Sequence, residues 1–124
     1  MTVLEHLGTW AAVCPLAALP VERGAAALLP DGTQVALFRL ADDSVHAIGN
    51  RDPYSGANVM ARGLVGSRGD RDVVASPMFK QHFDLRTGSA LDEPDVRIPV
   101  HRVRVVDGVV EVCCGAEEPD GTVR

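Results

Sequence analysis

Val100-His101-Arg102-Val103-Arg104-Val105-Val106-Asp107-Gly108-Val109-Val110-Glu111-Val112-Cys113 is a pair of Val-rich runs joined by Asp-Gly. An Asp-Gly pair in that setting is a strong signal for a two-residue hairpin, because it places glycine where a positive φ is needed. Alternation along the first run puts His101, Val103 and Val105 on one face and Arg102 and Arg104 on the other, the mark of a strand with one buried side. The stretch reads as strands at Val100–Val106 and Val109–Cys113. His101 is then expected to be a hydrogen-bonded core histidine, with Arg102 and Arg104 turned to solvent or a partner.

Outward from this hairpin the chain keeps the same grammar. Short runs rich in Val, Leu and Ala are punctuated by Gly, Pro, Asn and Asp, which predicts a small all-β fold. Further strands are expected at about Trp10–Cys14, Gly24–Leu29, Gln34–Leu40, Ser44–Ile48, Val73–Ala75 and Gln81–Asp84. Pro30-Asp31-Gly32 supplies another turn, and Pro15-Leu16-Ala17-Ala18-Leu19-Pro20 is long enough only for a helical turn.

Composition narrows the partners. The 124 residues suit one domain, 1–124, and 46% hydrophobic with 23% charged residues is ordinary for a folded chain. Twelve Lys and Arg against 17 Asp and Glu give a net charge of -5, so neither nucleic acid nor a membrane is an expected partner. No apolar stretch approaches the roughly 18–20 residues of a membrane span. Met1-Thr2-Val3-Leu4-Glu5-His6 lacks the cationic start of a signal peptide, and the chain reads as cytoplasmic. Cys14, Cys113 and Cys114 show no Cys-x-x-Cys spacing and are expected to be buried or inert thiols, with adventitious metal at Cys113 and Cys114 left open.

Asn50 to Ala75 differs from its flanks. Gly56, Gly63, Gly66 and Gly69 lie among Asp, Arg, Ser and Asn, and the segment reads mostly as loop. Long ordered loops in small domains usually carry function. Bordering segments are Ala47-Ile48-Gly49-Asn50-Arg51-Asp52-Pro53-Tyr54-Ser55-Gly56-Ala57 and Ala75-Ser76-Pro77-Met78-Phe79-Lys80-Gln81-His82-Phe83-Asp84-Leu85-Arg86-Thr87-Gly88. Together they resemble the two cluster-binding loops of Rieske [2Fe–2S] domains, Cys-x-His and Cys-x-x-His followed by Phe-Asp-Leu-x-Thr-Gly. The resemblance implies a Rieske-like antiparallel β-sandwich or barrel with a small loop-rich subdomain, in which about 50–88 holds the former cluster loops.

At the four ligand positions stand Asp52, Tyr54, Ser76 and Phe79. A Rieske centre needs two thiolates and two imidazoles, so no cluster is expected. Tyr54 and Phe79 are expected to fill the vacated space, and Asp52 and Ser76 to bind loop N–H groups, giving a covered, metal-free knob. With Asn50-Arg51-Asp52-Pro53-Tyr54-Ser55 and Ser76-Pro77-Met78-Phe79-Lys80-Gln81, the chain is similar to small subunits of NADH-dependent assimilatory nitrite reductase. That resemblance implies a non-catalytic subunit with no cofactor of its own. Sirohaem, an iron–sulfur cluster, FAD and the NADH site would belong to a large catalytic subunit that reduces nitrite to ammonium. Pro53, Tyr54, Arg62, Met78, Lys80 and Gln81 are the candidate docking residues, and no catalytic or metal residue is assigned.

Other readings are weaker. Arg62, Lys80 and Gln81 could steer an anion such as nitrite. His46, Asp52 and His82 could form a makeshift metal site, Ser76 with His82 and Asp84 a nucleophilic triad, and Gly63, Gly66 and Gly69 a phosphate cradle. At the level of the whole chain, the rivals are an electron-transfer ferredoxin and a cluster-free binding or regulatory module of another oxidoreductase.

Overall fold

A computed structural model describes residues 9–117. The reading of Met1 to His6 lies outside the described residues. The strands are β1 (Trp10–Pro15), β2 (Gly24–Leu28), β3 (Gln34–Arg39), β4 (Val45–Gly49), β5 (Leu64–Arg68), β6 (Arg71–Ala75), β7 (His82–Asp84), β8 (Val100–Val106) and β9 (Val109–Glu117). They form two antiparallel sheets, one of six strands in the order β1-β9-β8-β4-β3-β2 and one of three in the order β5-β6-β7. The only helical pieces among the described residues are single 3-10 turns at Leu16–Ala18, where the Pro-bracketed segment predicted one, and at Met60–Arg62.

Turn chemistry sets the hairpins. Gly108 has the positive φ expected of it, 78°, and Asp107 is positive as well at 51°, which makes the two-residue turn between β8 and β9. Register shifts between Ala12 and Cys14 and between His101 and Val103 mark bulges, which bend the large sheet into an open curl. The expectation that residues 50–75 are mostly loop is corrected, because β5 and the start of β6 form a hairpin there. Gly69, at φ 65°, begins its two-residue turn, and Arg68 faces Arg71 across it. β5 escaped the periodicity because it is an edge strand whose only large aliphatics are Leu64, 77% exposed, and half-buried Val65.

β3 explains the architecture. Val35 and Leu37 point into a core with Leu19, Leu29, Ala47, Val110 and Val112 inside the curl. Ala36 and Phe38 point the other way, into a core with Ile48, Met60, Val74, Phe83, Leu85 and Ile98 beneath the three-stranded sheet. A strand buried on both faces reads as an unbroken apolar run, as Val35-Ala36-Leu37-Phe38 does. β4 and β8, by contrast, pair only through Ala47↔His101 and Ile48↔Val100 among the described residues, and the large sheet forks beyond them.

His101 is buried, and its Nδ1 donates to the Cys113 carbonyl at 2.9 Å, as expected of a core histidine. Arg102 and Arg104 are exposed. Cys113 is buried and Cys14 and Cys114 are half-buried; burial pushes the thiols of Cys14 and Cys114 up, away from reactive thiolate.

Candidate functional site

The loops bordering the small sheet repeat one turn. In residues 52–57, Asp52 N–H donates to Ala57 O at 2.8 Å and Gly56 N–H donates back to Asp52 O at 2.7 Å. In residues 76–81, Ser76 N–H donates to Gln81 O at 2.9 Å and Lys80 N–H to Ser76 O at 3.0 Å. Residues 84–89 do the same, through Asp84 with Ser89 O at 2.9 Å and Gly88 with Asp84 O at 2.7 Å. Each turn opens on a side chain that accepts from the N–H two residues on: Tyr54 to Asp52 Oδ1 at 2.8 Å, Met78 to Ser76 Oγ at 3.1 Å, Arg86 to Asp84 Oδ1 at 2.7 Å. These are the local side-chain bonds for which Asp and Ser are suited. The fifth residue of each turn is left-handed, with φ of 78° at Gly56, 64° at Lys80 and 80° at Gly88. Lys80 is the one non-glycine of the three and carries the steric cost of that conformation, about 1 kcal/mol or more.

The first two turns are locked together. Ser76 Oγ donates to Asp52 Oδ2 at 2.6 Å, and both side chains are almost wholly buried. Asn50 fixes the base of loop one, its Oδ1 accepting from Ala61 N–H at 2.8 Å and its Nδ2 donating to Gln34 Oε1 at 3.2 Å. Tyr54 packs against the core beside Phe83, ring centroids 6.1 Å apart, and its hydroxyl donates to Glu93 Oε1 at 2.6 Å. That hydrogen bond, with smaller help from desolvation and the nearby acidic charges, pushes the phenol pKa up to about 12.

One expectation fails at this knob. Tyr54 fills space as predicted, but Phe79 is 58% exposed and Met78 48%, so the tip is not covered. The turn's geometry is the reason: Ser76 and Gln81 close it at the base, which pushes residues 77–80 outward. Among the candidate docking residues, Pro53, Arg62, Met78 and Lys80 are exposed and Tyr54 is half-buried. Gln81 is drawn inward, with its Oε1 buried and bonded to no described residue. Arg62 ends the 3-10 turn just before β5, where Leu64 faces Ala75 at the root of loop two.

The weaker readings find no geometry. Ser76 Oγ serves Asp52 and Met78 rather than His82, so no triad forms. Asp52 is spent on Ser76 and Tyr54, and the described residues contain no cluster of three or more His, Cys, Asp or Glu side chains placed for a metal. Gly63 packs with its Cα against Ala75 O, where an added Cβ would stand 2.6 Å away, Gly66 lies within β5, and Gly69 makes the hairpin turn. None of them cradles a phosphate.

A polar cleft of about 540 Å³ is walled by β4, β6 and the turn after β7. His46, Asp72, Asp84, Arg71 and Arg86 line it, and Arg71 Nε stands 3.9 Å from Asp84 Oδ2. Burial holds His46 below its ordinary range against the opposing pull of Asp72, Asp42 and Asp84. With both signs present, this cleft selects no charge of ligand. Sequence reasoning missed it because its walls come from β4, β6 and the turn after β7.

Residues 9–113 match the model of the Rieske-like [2Fe-2S] domain family. The chain is 36% identical over 107 residues to the nitrite reductase (NADH) small subunit of Escherichia coli K12, covering 86% of this chain and 98% of that one. A crystal structure of an NADH-dependent nitrite reductase small subunit from Mycobacterium tuberculosis superposes with a TM-score of 0.83 at 51% identity, covering 89% of this chain and 96% of that one. The chain is also 41% identical over 103 residues to a nitrite reductase [NAD(P)H] large subunit of Klebsiella oxytoca, spanning 83% of this chain but 11% of that protein. The family's [2Fe–2S] cluster does not fit the donors present: the four ligand positions offer no thiolate and no imidazole, and two of them are joined by the buried Asp52–Ser76 hydrogen bond. By family match, sequence identity and fold, the chain belongs to the Rieske-like [2Fe-2S] domain family, in its branch of nitrite reductase (NADH) small subunits.

Proposed function

We propose that the chain, acting as a single domain over residues 1–124, is the non-catalytic small subunit of a cytoplasmic NADH-dependent nitrite reductase that takes nitrite to ammonium. In this reading it binds no electron carrier, and the sirohaem, iron–sulfur cluster, FAD and NADH site belong to a large subunit. The observation that carries it is the knob, whose two loops are rigidly joined by Asp52–Ser76 and present Met78 and Phe79 to solvent. Exposed apolar side chains on a braced scaffold suit a protein interface better than a catalytic site. The relative in which a similar domain occupies 11% of a large subunit supports the same pairing, since two pieces that work together can be fused or separate. Pro53, Tyr54, Arg62, Met78 and Lys80 would meet the large subunit, with Phe79 added to the set. Gln81 would act from behind by shaping the turn.

Tagged chain recovered from its native cytoplasm tests this. A coloured large partner with a sirohaem spectrum and nitrite-dependent NADH oxidation is expected. Lys80→Glu should weaken that association by about tenfold while leaving thermal unfolding nearly unchanged. Recovery with an unrelated oxidoreductase, or undiminished association of the Lys80→Glu chain, would refute the assignment or the docking face respectively.

A further inference from the structure

We propose that the end of the large sheet beside loop one is a second docking groove, which takes an acidic segment of the large subunit. The inference rests on the reading above that the chain docks on such a subunit. The groove, of about 500 Å³, is bounded by Gln34 at the start of β3, Gly49 at the end of β4, Arg51 and Pro53 of loop one, and Arg97 and Pro99 on the run into β8. Pro53 also belongs to the proposed loop-tip contact, so a partner seated there meets the rim of the groove.

Two guanidinium groups supply its charge. Arg51 is exposed and donates through Nε to Gly56 O at 3.4 Å; Arg97 is half-buried and donates through Nε to Pro94 O at 3.3 Å. These bonds steady the side chains and use one of the five N–H donors on each, leaving the terminal nitrogens. Neither guanidinium is ion-paired among the described residues. The acidic residues nearest in sequence are engaged elsewhere or stand apart. Asp31 Oδ1 accepts from Thr33 N–H at 2.9 Å, Asp52 is buried on Ser76 and Tyr54, and Asp95, two residues before Arg97, is not among the walls. Gln34 adds a third donor: Asn50 Nδ2 occupies its Oε1 at 3.2 Å, which leaves its Nε2 unpartnered among the described residues. The groove therefore offers donors and positive charge, with no carboxylate in its lining, on a chain whose net charge is -5.

That chemistry selects the occupant. The terminal edge of a guanidinium takes a carboxylate in bidentate fashion, and a side chain already steadied at Nε loses less freedom in doing so. Two cations between prolines suit one or two carboxylates, whereas nucleic acid needs a longer cationic track. A loop of the partner bearing Asp or Glu meets both arginines and covers Pro53 and Pro99, which are exposed.

The test measures binding of the full chain to the large subunit recovered with it, by biolayer interferometry at low and at physiological salt. Arg51→Gln/Arg97→Gln should weaken binding by about tenfold at low salt and flatten its salt dependence, with Arg51→Lys/Arg97→Lys in between. Urea unfolding checks that each variant is folded. Should the pair prove unstable, Arg97→Gln alone is read instead, with a loss of about threefold expected. Parental affinity and salt dependence in the folded Gln variants would overturn the proposal. So would saturable binding of inorganic phosphate at the arginines without an effect of the Gln pair on association, the mark of a small-anion site. A dimer of the chain that the Gln pair abolishes, seen by sedimentation, would assign the groove to a second copy and overturn it too. Loss of association in Lys80→Glu but not in the Gln pair would sink the groove and leave the docking reading standing. Recovery of no nitrite-reducing partner by the parent chain would sink both.

Discussion

Ser76→Ala removes one oxygen from the centre of the knob, and the cost can be worked from its two bonds. The hydroxyl donates to Asp52 Oδ2 at 2.6 Å where neither residue is exposed by more than 1%. Losing a hydrogen bond to a buried carboxylate costs about 1.5–3 kcal/mol, because no water replaces the donor. The second bond, from Met78 N–H to Ser76 Oγ, lies beside an exposed tip where water can substitute, and adds about 0.5 kcal/mol or less. The sum, about 2–3 kcal/mol, is a large share of the ~5–15 kcal/mol stability usual for a domain. For a chain of 124 residues it corresponds to a fall in Tm of roughly 8–15 °C. Urea unfolding followed by circular dichroism reads it as a lower midpoint at unchanged slope. A cycle with Asp52→Ala and the double variant isolates the pair: the double variant should be less damaged than the sum of the singles by about 1.5 kcal/mol or more. A Ser76→Ala protein within about 0.5 kcal/mol of the parent, or a cycle that adds up, would refute the lock between the loops.

Tyr54 is the only tyrosine, so its ionisation can be followed directly by ultraviolet absorbance; its midpoint should lie near 12 and fall toward the ordinary 10 in Glu93→Gln. Since the folded value is the raised one, the stabilisation this bond gives is whole below pH about 10 and disappears as pH climbs through about 12, provided the fold survives that far. Gly24→Ala should cost about 1–3 kcal/mol in the same urea assay, since the new methyl would press on the Ala61 carbonyl and stand 2.7 Å from Phe38 Cε1; Gly66→Ala, with nothing within 4 Å, should stay within about 0.5 kcal/mol. Equal effects at the two glycines would refute the close packing of β2 on the 3-10 turn.

Local chemistry made the hairpins legible. Asp107-Gly108 announces its turn because glycine supplies the positive φ it needs, and the apolar run of β3 announces a strand, although its burial on both faces emerges only from the packing. Residue type alone told that the four ligand positions hold none of the thiolates and imidazoles a Rieske cluster needs. What stayed hidden depends on residues far apart in the chain. Asp52 and Ser76 were each expected to bind backbone, as they do, but nothing in a stretch of sequence says that they bind each other across 24 residues. Tyr54 finds Glu93 across 39. Phe79 was misread because an aromatic residue is ordinarily assigned to a core, whereas here the closure of its turn decides its direction. β5 was missed because an edge strand need not alternate, and the β4–β8 fork because it exists only once the strand order is known.

The two-faced burial of β3 also bears on motion. Val35 and Leu37 serve one interior and Ala36 and Phe38 the other, so neither half can breathe far without disturbing a wall it shares. Amide exchange in β6 and β7 should therefore be as slow as in β3 and governed by the same opening event, rather than forming a separate and weaker unit. A push on the loop tips would be borne as a tilt of the whole body instead of a local bend. The chain would then meet another protein as a stiff lever, delivering position rather than flexibility.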